Sequence, residues 1–141
     1  MSDLTQLYQE IILSHNKNPK NYRVLESFTG MGKANNPLCG DEVELYWKIE
    51  DGLISDVTFQ ARGCAISRAS ASIMTELLRG KSIAESRQLL SELLGFFADT
   101  DEESEMKEPL GDLKALSGVK AYPSRIKCAT LAWHALLENA V

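Results

Sequence analysis

The stretch EVELYWKIEDGLISDVTFQA, residues 42–61, decides the fold. Apolar side chains alternate with mostly polar ones on both sides of Asp51-Gly52, which is typical of an antiparallel hairpin with one buried face. A two-residue Asp-Gly loop would pair Glu50 with Leu53 and place the two apolar sets on opposite faces. We therefore predict a three-residue loop, Glu50-Asp51-Gly52, which keeps both sets on one face. The predicted pairs are Ile49 with Leu53, Leu45 with Val57, and Val43 with Phe59.

The predicted register brings chemically distinctive residues together at the open end of this hairpin. It places Cys39 opposite Gly63, directly before Cys64, and opposed residues in a sheet lie roughly 5 Å apart. The two-residue repeat of a strand puts Asp41 on the same inward face as Cys39. A carboxylate on an apolar face is costly unless a cation binds it. We therefore expect the hairpin to gather Cys39, Asp41 and Cys64.

The third cysteine, Cys128, lies near the start of a predicted C-terminal helix that begins at Pro123-Ser124. It is two positions from Ile126, or roughly 200° around the helix, and so lies off the apolar stripe. This phase favours a side chain that faces a site. The stripe itself consists of Ile126, Ala129, Trp133, Leu136, Leu137 and Ala140.

These are all three cysteines of the 141-residue chain, and an odd number argues against a closed disulfide framework. Three soft thiolates and one hard carboxylate suit a four-ligand metal site. The alternative for any single cysteine is a small buried apolar residue. That alternative weakens for the set, because each member lies beside glycine, proline or a helix start. Zinc hydrolysis or deamination is disfavoured, because the sequence has neither His-Glu-x-x-His nor His-x-Glu with Cys-x-x-Cys.

The rest of the chain is predominantly helical by its apolar spacing. Residues 4–12 predict an amphipathic helix, and residues 23–34 hold a weak edge-strand signal. Further helices are predicted from Ala65 to a stop at Gly80, and from Ser82, which opens a capping box with Glu85. Residues 99–108 carry six acidic side chains and one lysine. We interpret this run as a solvated loop or insertion, with a docking surface for a basic partner as the alternative.

Composition sets the broad class of protein. The formal net charge of −5 gives no electrostatic reason to expect nucleic acid or an anionic membrane as a partner. We see no transmembrane segment and no signal peptide, so we expect a single domain over residues 1–141 in a reducing cytoplasm.

Three blocks in this order resemble the signatures of the NifU N-terminal/IscU iron–sulfur cluster assembly family. They are Asn36-Pro37-Leu38-Cys39-Gly40-Asp41, Gly63-Cys64-Ala65-Ile66-Ser67 and Arg125-Ile126-Lys127-Cys128-Ala129-Thr130-Leu131-Ala132-Trp133. The resemblance implies an α+β fold with a small antiparallel sheet, of about three strands, and helices packed on one face. It also implies that Cys39, Asp41, Cys64 and Cys128 hold the metal or cluster.

Two departures point to the SufU branch of that family. Lys127 stands where IscU proteins carry a histidine before the third cysteine, and the segment between Cys64 and Cys128 looks longer. SufU-type members bind zinc tightly and accept sulfur from a cysteine desulfurase of the SufS type. The IscU chaperone-docking motif is not found in this sequence.

Three hypotheses follow from the resemblance. In the first, Zn²⁺ held by the four residues keeps the thiols deprotonated, and Cys39 accepts persulfide sulfur, so the protein acts with a desulfurase rather than as an independent enzyme. Arg125 and Lys127 would then lower a thiolate pKa or steady a persulfide, the alternative being ordinary solvated side chains. In the second hypothesis, the same residues hold a transient [2Fe–2S] cluster that is passed to downstream acceptor proteins. In the third, the zinc is purely structural.

Overall fold

The computed structural model describes residues 3–38, 40–101 and 103–140, with side chains from Thr5 onward in those ranges. In chain order the elements are α1 (Asp3–Lys17), β1 (Gly30–Asn36), β2 (Asp41–Glu50), β3 (Leu53–Arg62), α2 (Ala65–Leu78), α3 (Ile83–Ala98), a 3₁₀ segment (Glu108–Ala121) and α4 (Pro123–Leu137). The strands form one antiparallel sheet in the order β1-β2-β3. The predicted fold class is confirmed, and the edge-strand signal of residues 23–34 overlaps β1 over residues 30–34 only.

The hairpin of β2 and β3 is present, but its predicted loop and register are wrong. Glu50 pairs with Leu53 across a two-residue turn, in which both Asp51 and Gly52 have positive φ, 53° and 77°. The ladder then shifts between Lys48 and Ile49, which leaves Ser55 of β3 as an extra residue. This bulge returns the apolar residues of both strands to one face. The observed pairs include Trp47 with Val57, Leu45 with Phe59, and Val43 with Ala61.

The corrected register changes which residue lies beside Gly63. The last pair of the hairpin is Glu42 with Arg62, so Asp41 takes the place that was predicted for Cys39. A Cβ built on Gly63 would lie 2.7 Å from the Asp41 Cα, which shows how close the two backbones are. Cys39 itself lies outside the described residues.

Helix α4 packs against the inner face of the sheet. It contacts β1 and β2, and a Cβ on Gly32 of β1 would lie only 2.1 Å from the carbonyl oxygen of Ala135. Every residue from Cys128 to Leu137 except His134 is buried. The predicted apolar stripe therefore covers only part of a helix that is enclosed on nearly all sides.

The 3₁₀ segment was not predicted from the sequence. It buries side chains at every third position and contains a kink at Gly111, where φ is 53°. The buried residues at this spacing are Leu110, Leu113, Leu116 and Val119. The segment contacts α1, α2 and α4, and so completes the helical layer around the core.

The remaining elements follow the sequence-based expectations. Helices α1, α2 and α3 lie where the apolar spacing predicts them, and the Ser82–Glu85 capping box is formed. The described part of the acidic run is mostly exposed and irregular, although Met106 is buried. Among the described helices, none combines the length and apolar character needed to cross a membrane.

Candidate metal centre

Asp41 is a fully buried carboxylate on the inner face of the sheet. It opens β2, pairs with Asn36 of β1, and has 0% of its surface exposed. The neighbouring Gly63 makes room for it, because a Cβ there would lie 2.2 Å from Asp41 Oδ1. Gly63 also has a φ of 124°, a conformation that favours glycine. The carboxylate is thus held in a space that only a glycine neighbour leaves open.

Cys64 is linked to Asp41 through both its backbone and its sulfur. It is the N-cap residue of α2, and its amide N–H donates a 2.7 Å hydrogen bond to Asp41 Oδ1. Its Sγ lies 3.5 Å from Asp41 Oδ2, and the side chain is partly exposed. These two contacts hold the Cys64 sulfur beside the Asp41 carboxylate.

Cys128 approaches the same position from α4. Its side chain is completely buried, and Asn36 Nδ2 lies 3.6 Å from its Sγ. The sulfur is also 3.8 Å from the carbonyl oxygen of Ser124, one turn earlier in the helix. The expectation that Cys128 faces a site agrees with these contacts, although the side chain is buried rather than merely off the apolar stripe.

The donor atoms of Asp41, Cys64 and Cys128 all lie within 4.8 Å of one another. An ion midway between two atoms at that separation would be 2.4 Å from each, close to the usual Zn–S distance of about 2.3 Å. The donor set of two sulfurs and one oxygen suits zinc or an iron–sulfur cluster. The Asp41 carboxylate is buried against Cys64 and Gly63, neither of which carries a positive charge, and such an environment also suits a bound cation. These residues therefore fit the metal that the sequence implies.

The other predicted site residues differ in how they relate to this group. Cys39 lies outside the described residues, between Leu38, which is 75% exposed, and Gly40, whose φ is 71°. Arg125 is exposed and lines a groove of about 730 Å³ that Cys64 also lines. Lys127 is exposed on the surface of α4. The structure therefore places Arg125 in the same groove as Cys64, and Lys127 on the exposed surface.

Sequence reasoning missed the contact between Asn36 and Cys128. Asn36 is only 4% exposed, which is unusual for a polar residue at a strand end. A signal was present in β1, because the inward positions Gly32, Ala34 and Asn36 alternate with exposed ones. Gly32 and Ala34 are small and allow α4 to approach closely, so the Asn36 amide contacts Cys128 of that helix.

The family follows from sequence comparison. Residues 7–129 match the model of the NifU-like N-terminal domain. The chain belongs to this family. It is 42% identical over 137 residues to the zinc-dependent sulfurtransferase SufU of Bacillus subtilis, covering 96% of this chain and 90% of that protein. The scaffold protein IscU of Streptococcus pyogenes is 38% identical over 138 residues, covering 98% of this chain and 85% of that one.

Solved structures support the same assignment. SufU of Fervidobacterium islandicum AW-1, described as a candidate iron–sulfur assembly scaffold of the SUF system, superposes with a TM-score of 0.82. It is 33% identical and the match covers 94% of this chain and 95% of that one. The NifU-like protein of Brucella abortus, at 23% identity and a TM-score of 0.83, shares the fold. The predicted membership, including its likeness to SufU, is confirmed, and the relatives are proteins of iron–sulfur cluster assembly.

Proposed function

We propose that this protein binds Zn²⁺ and accepts persulfide sulfur from a cysteine desulfurase of the SufS type. The observation that carries the proposal is the group of Asp41, Cys64 and Cys128, whose donor atoms lie within 4.8 Å of one another. Similarity over 96% of the chain to a zinc-dependent sulfurtransferase supports the same activity. Cys39 completes the proposed ligand set, because it precedes Asp41 by two residues in the matching motif.

Bound Zn²⁺ would keep the cysteine sulfurs in the thiolate form, which is the nucleophilic form. In the proposed transfer, the Cys39 thiolate attacks the outer sulfur of the persulfide on the desulfurase. A new S–S bond forms on Cys39, and the bond between the two desulfurase sulfurs breaks. The electron pair of that bond leaves with the desulfurase cysteine as a thiolate, so the step needs no oxidant or reductant.

Two groups near the centre would assist this transfer. Arg125 lines the groove beside Cys64, where its positive charge would attract a persulfide anion. Lys127, which is exposed next to Cys128 in the chain, would act on the approaching partner rather than on the buried sulfur. Because both are exposed, we expect each to contribute less than a ligand does.

Sulfur labelling tests the proposal directly. The zinc-loaded protein, incubated with a SufS-type desulfurase and radiolabelled cysteine, should gain label and should increase the rate of alanine release. Cys39→Ser should abolish the label, whereas Ser82→Ala, which lies at the start of α3, should keep it. If Cys39→Ser is labelled as strongly as the unaltered protein, the proposal fails.

A transient [2Fe–2S] cluster is the second candidate function, favoured by the scaffold proteins among the relatives and by the same donor set. Here the cluster is cargo that passes to a downstream acceptor protein. A reconstituted cluster should move to an apo-acceptor faster than free iron and sulfide can supply one. Metal analysis of the untreated protein separates the candidates, because zinc at about one ion per chain favours sulfur transfer. For both candidates Asp41→Ala should alter exchange, because it weakens the ligand set, whereas in a purely structural zinc domain it would only lower stability.

A further inference from the structure

Asn36 occupies a special place in the sheet. It is the last residue of β1 and pairs with Asp41, the first residue of β2, so the two close the segment 37–40 that contains Cys39 in the sequence. Its side chain lies on the inner face of the sheet and is 96% buried, since only 4% is exposed. A buried amide needs hydrogen-bond partners for both its oxygen and its nitrogen.

The two ends of the Asn36 amide contact different parts of the proposed site. Its Oδ1 accepts a 3.3 Å hydrogen bond from the backbone N–H of Leu38, which leads into Cys39. Because that backbone group is a donor, the oxygen must face Leu38 and the NH₂ group must face α4. The NH₂ group therefore donates to Cys128 Sγ at 3.6 Å.

The surroundings of Cys128 show why the hydrogen bond from the Asn36 NH₂ group to its sulfur matters. The sulfur is fully buried, so water does not compete for it. The carbonyl oxygen of Ser124, at 3.8 Å, can accept only from a protonated thiol. A metal-bound thiolate has no proton, and the Asn36 NH₂ group then donates a hydrogen bond that complements its charge. Donors of this kind orient metal ligands and adjust their basicity.

We infer that Asn36 is a positioning residue that fixes the Cys128 sulfur for metal binding and couples it to the segment bearing Cys39. This inference rests on the proposed zinc site. Asn36 need not touch the metal, because it acts through the sulfur on one side and through the backbone of Leu38 on the other. It links the Cys128 sulfur to the backbone of Leu38, a residue 90 positions earlier in the sequence that directly precedes Cys39.

Two substitutions separate the two contacts. Asn36→Ser retains an oxygen that can accept from Leu38 N–H, but its side chain is too short to reach the sulfur. Asn36→Ala loses both contacts. The matched control is Asn35→Ser, because Asn35 is the preceding residue, is exposed, and points to the other face of the strand.

The measurements are zinc affinity by competition with a chromogenic chelator, the spectrum of the Co²⁺-loaded protein, and thermal unfolding without metal. We expect Asn36→Ser and Asn36→Ala to bind zinc about 10- to 100-fold more weakly than the control. The sulfur-to-cobalt charge-transfer band should move to lower energy in both, because the thiolate loses a hydrogen bond. Thermal unfolding of metal-free Asn36→Ser should stay close to that of the control.

Three results would overturn the inference. In the first, both variants bind zinc within about twofold of the control and the cobalt band does not change. In the second, Asn36→Ser binds zinc normally while Asn36→Ala binds it weakly. In the third, neither variant folds without metal. The second result would assign the role to the Leu38 contact alone, and the third to general stability. These zinc and cobalt measurements need no desulfurase, so they do not depend on sulfur transfer. A protein that binds zinc but accepts no sulfur would contradict the proposed function and leave this inference intact.

Discussion

Gly63 and Asp41 lie so close together that a single methyl group on Gly63 would come within 2.2 Å of the Asp41 carboxylate oxygen. The two residues lie at the open end of the β2–β3 hairpin, where the corrected register brings them side by side. The glycine is therefore part of what shapes the proposed metal centre, although it offers no ligand atom.

The first prediction concerns this glycine. Gly63→Ala should lower both stability and zinc affinity, because it adds a clash with Asp41 to the strain of a φ near 124°. The strain alone is worth about 1–3 kcal/mol. Gly80→Ala is the matched control, since Gly80 also has a positive φ, 88°, but has nothing within 4 Å of its Cβ position. Urea unfolding and zinc competition should show a larger loss for Gly63→Ala, and equal losses with unchanged zinc affinity would contradict the clash.

The second prediction concerns the buried charge of Asp41. Asp41→Asn retains an oxygen that can accept the Cys64 N–H bond, but it removes a carboxylate that is 0% exposed. Without metal, this variant should be more stable than the unaltered protein by about 1 kcal/mol or more, because a buried charge is costly. With zinc, its affinity should fall by about tenfold or more, because a neutral amide is a poorer ligand.

Urea unfolding with and without a chelator checks both halves of this prediction. Asp56→Asn is the control, because Asp56 forms ion pairs with Arg23 and Arg79 near the surface. That change should lower stability slightly and leave zinc affinity unchanged. If metal-free Asp41→Asn is less stable than the unaltered protein, the buried charge of Asp41 does not carry the cost that this prediction assumes.

The third prediction concerns pH and His15, a residue of α1. Burial lowers the pKa of His15 below its usual 6.5, against the opposing effects of Glu76 and Asp112. Its Nδ1 forms a 2.6 Å hydrogen bond with Ser72 Oγ, which also accepts from the backbone N–H of Lys20. Burial therefore favours the neutral imidazole in the folded chain.

The sign of the pH effect follows from linkage. Well above pH 6.5, the pKa of His15 in the unfolded chain, the histidine is neutral in both the folded and the unfolded chain, so it adds no pH dependence there. As the pH falls below that value, the unfolded chain binds the proton more readily, and the free energy of unfolding decreases. The metal-free protein should therefore have a lower urea midpoint at about pH 5.5 than at about pH 7.5. His15→Gln should reduce this difference, and an equal difference in that variant would assign it to other groups.

The fourth prediction separates stability from metal binding. Ser82→Ala removes the side chain that accepts from the Glu85 N–H at the start of α3. Losing such a cap costs about 0.5–2 kcal/mol. Because α3 contributes no residue to the proposed centre, zinc affinity and sulfur labelling should remain unchanged. A parallel loss of zinc affinity would mean that any destabilisation weakens the site, and the other variants would need to be reinterpreted.

The sequence predicted the faces of the hairpin better than its register. Alternation showed which residues of β2 and β3 point inward, and Val43, Leu45, Val57 and Phe59 are indeed buried. It also led to the wrong loop, because we assumed an uninterrupted ladder. The extra residue Ser55 changes the parity of β3, so the Asp51-Gly52 turn is compatible with a single buried face. In β3 the bulge appears as a step of three between the buried residues Ile54 and Val57, so the prediction that Leu53 points inward is wrong: Leu53 is 43% exposed and Ile54 is buried.

The 3₁₀ segment illustrates a signal that was present but not used. Its buried residues recur at every third position, from Leu110 to Val119, which is the spacing of side chains that eclipse in a 3₁₀ helix. A search for the α-helical pattern misses that spacing.

The sequence predicted that Asp41, Cys64 and Cys128 would come together, and their donor atoms do lie close to one another. The contact between Asn36 and Cys128 depends instead on how closely α4 approaches β1, which is a tertiary property.

The hydrogen bond between the Cys64 amide and Asp41 has a consequence for how the carboxylate can act. One oxygen, Oδ1, is already engaged by the backbone, so Oδ2 is the oxygen left to bind an ion. In the proposed zinc site, an ion bound through Oδ2 could leave while the Cys64 N–H holds the side chain in place. We therefore expect Asp41 to release and rebind an ion without changing its own orientation.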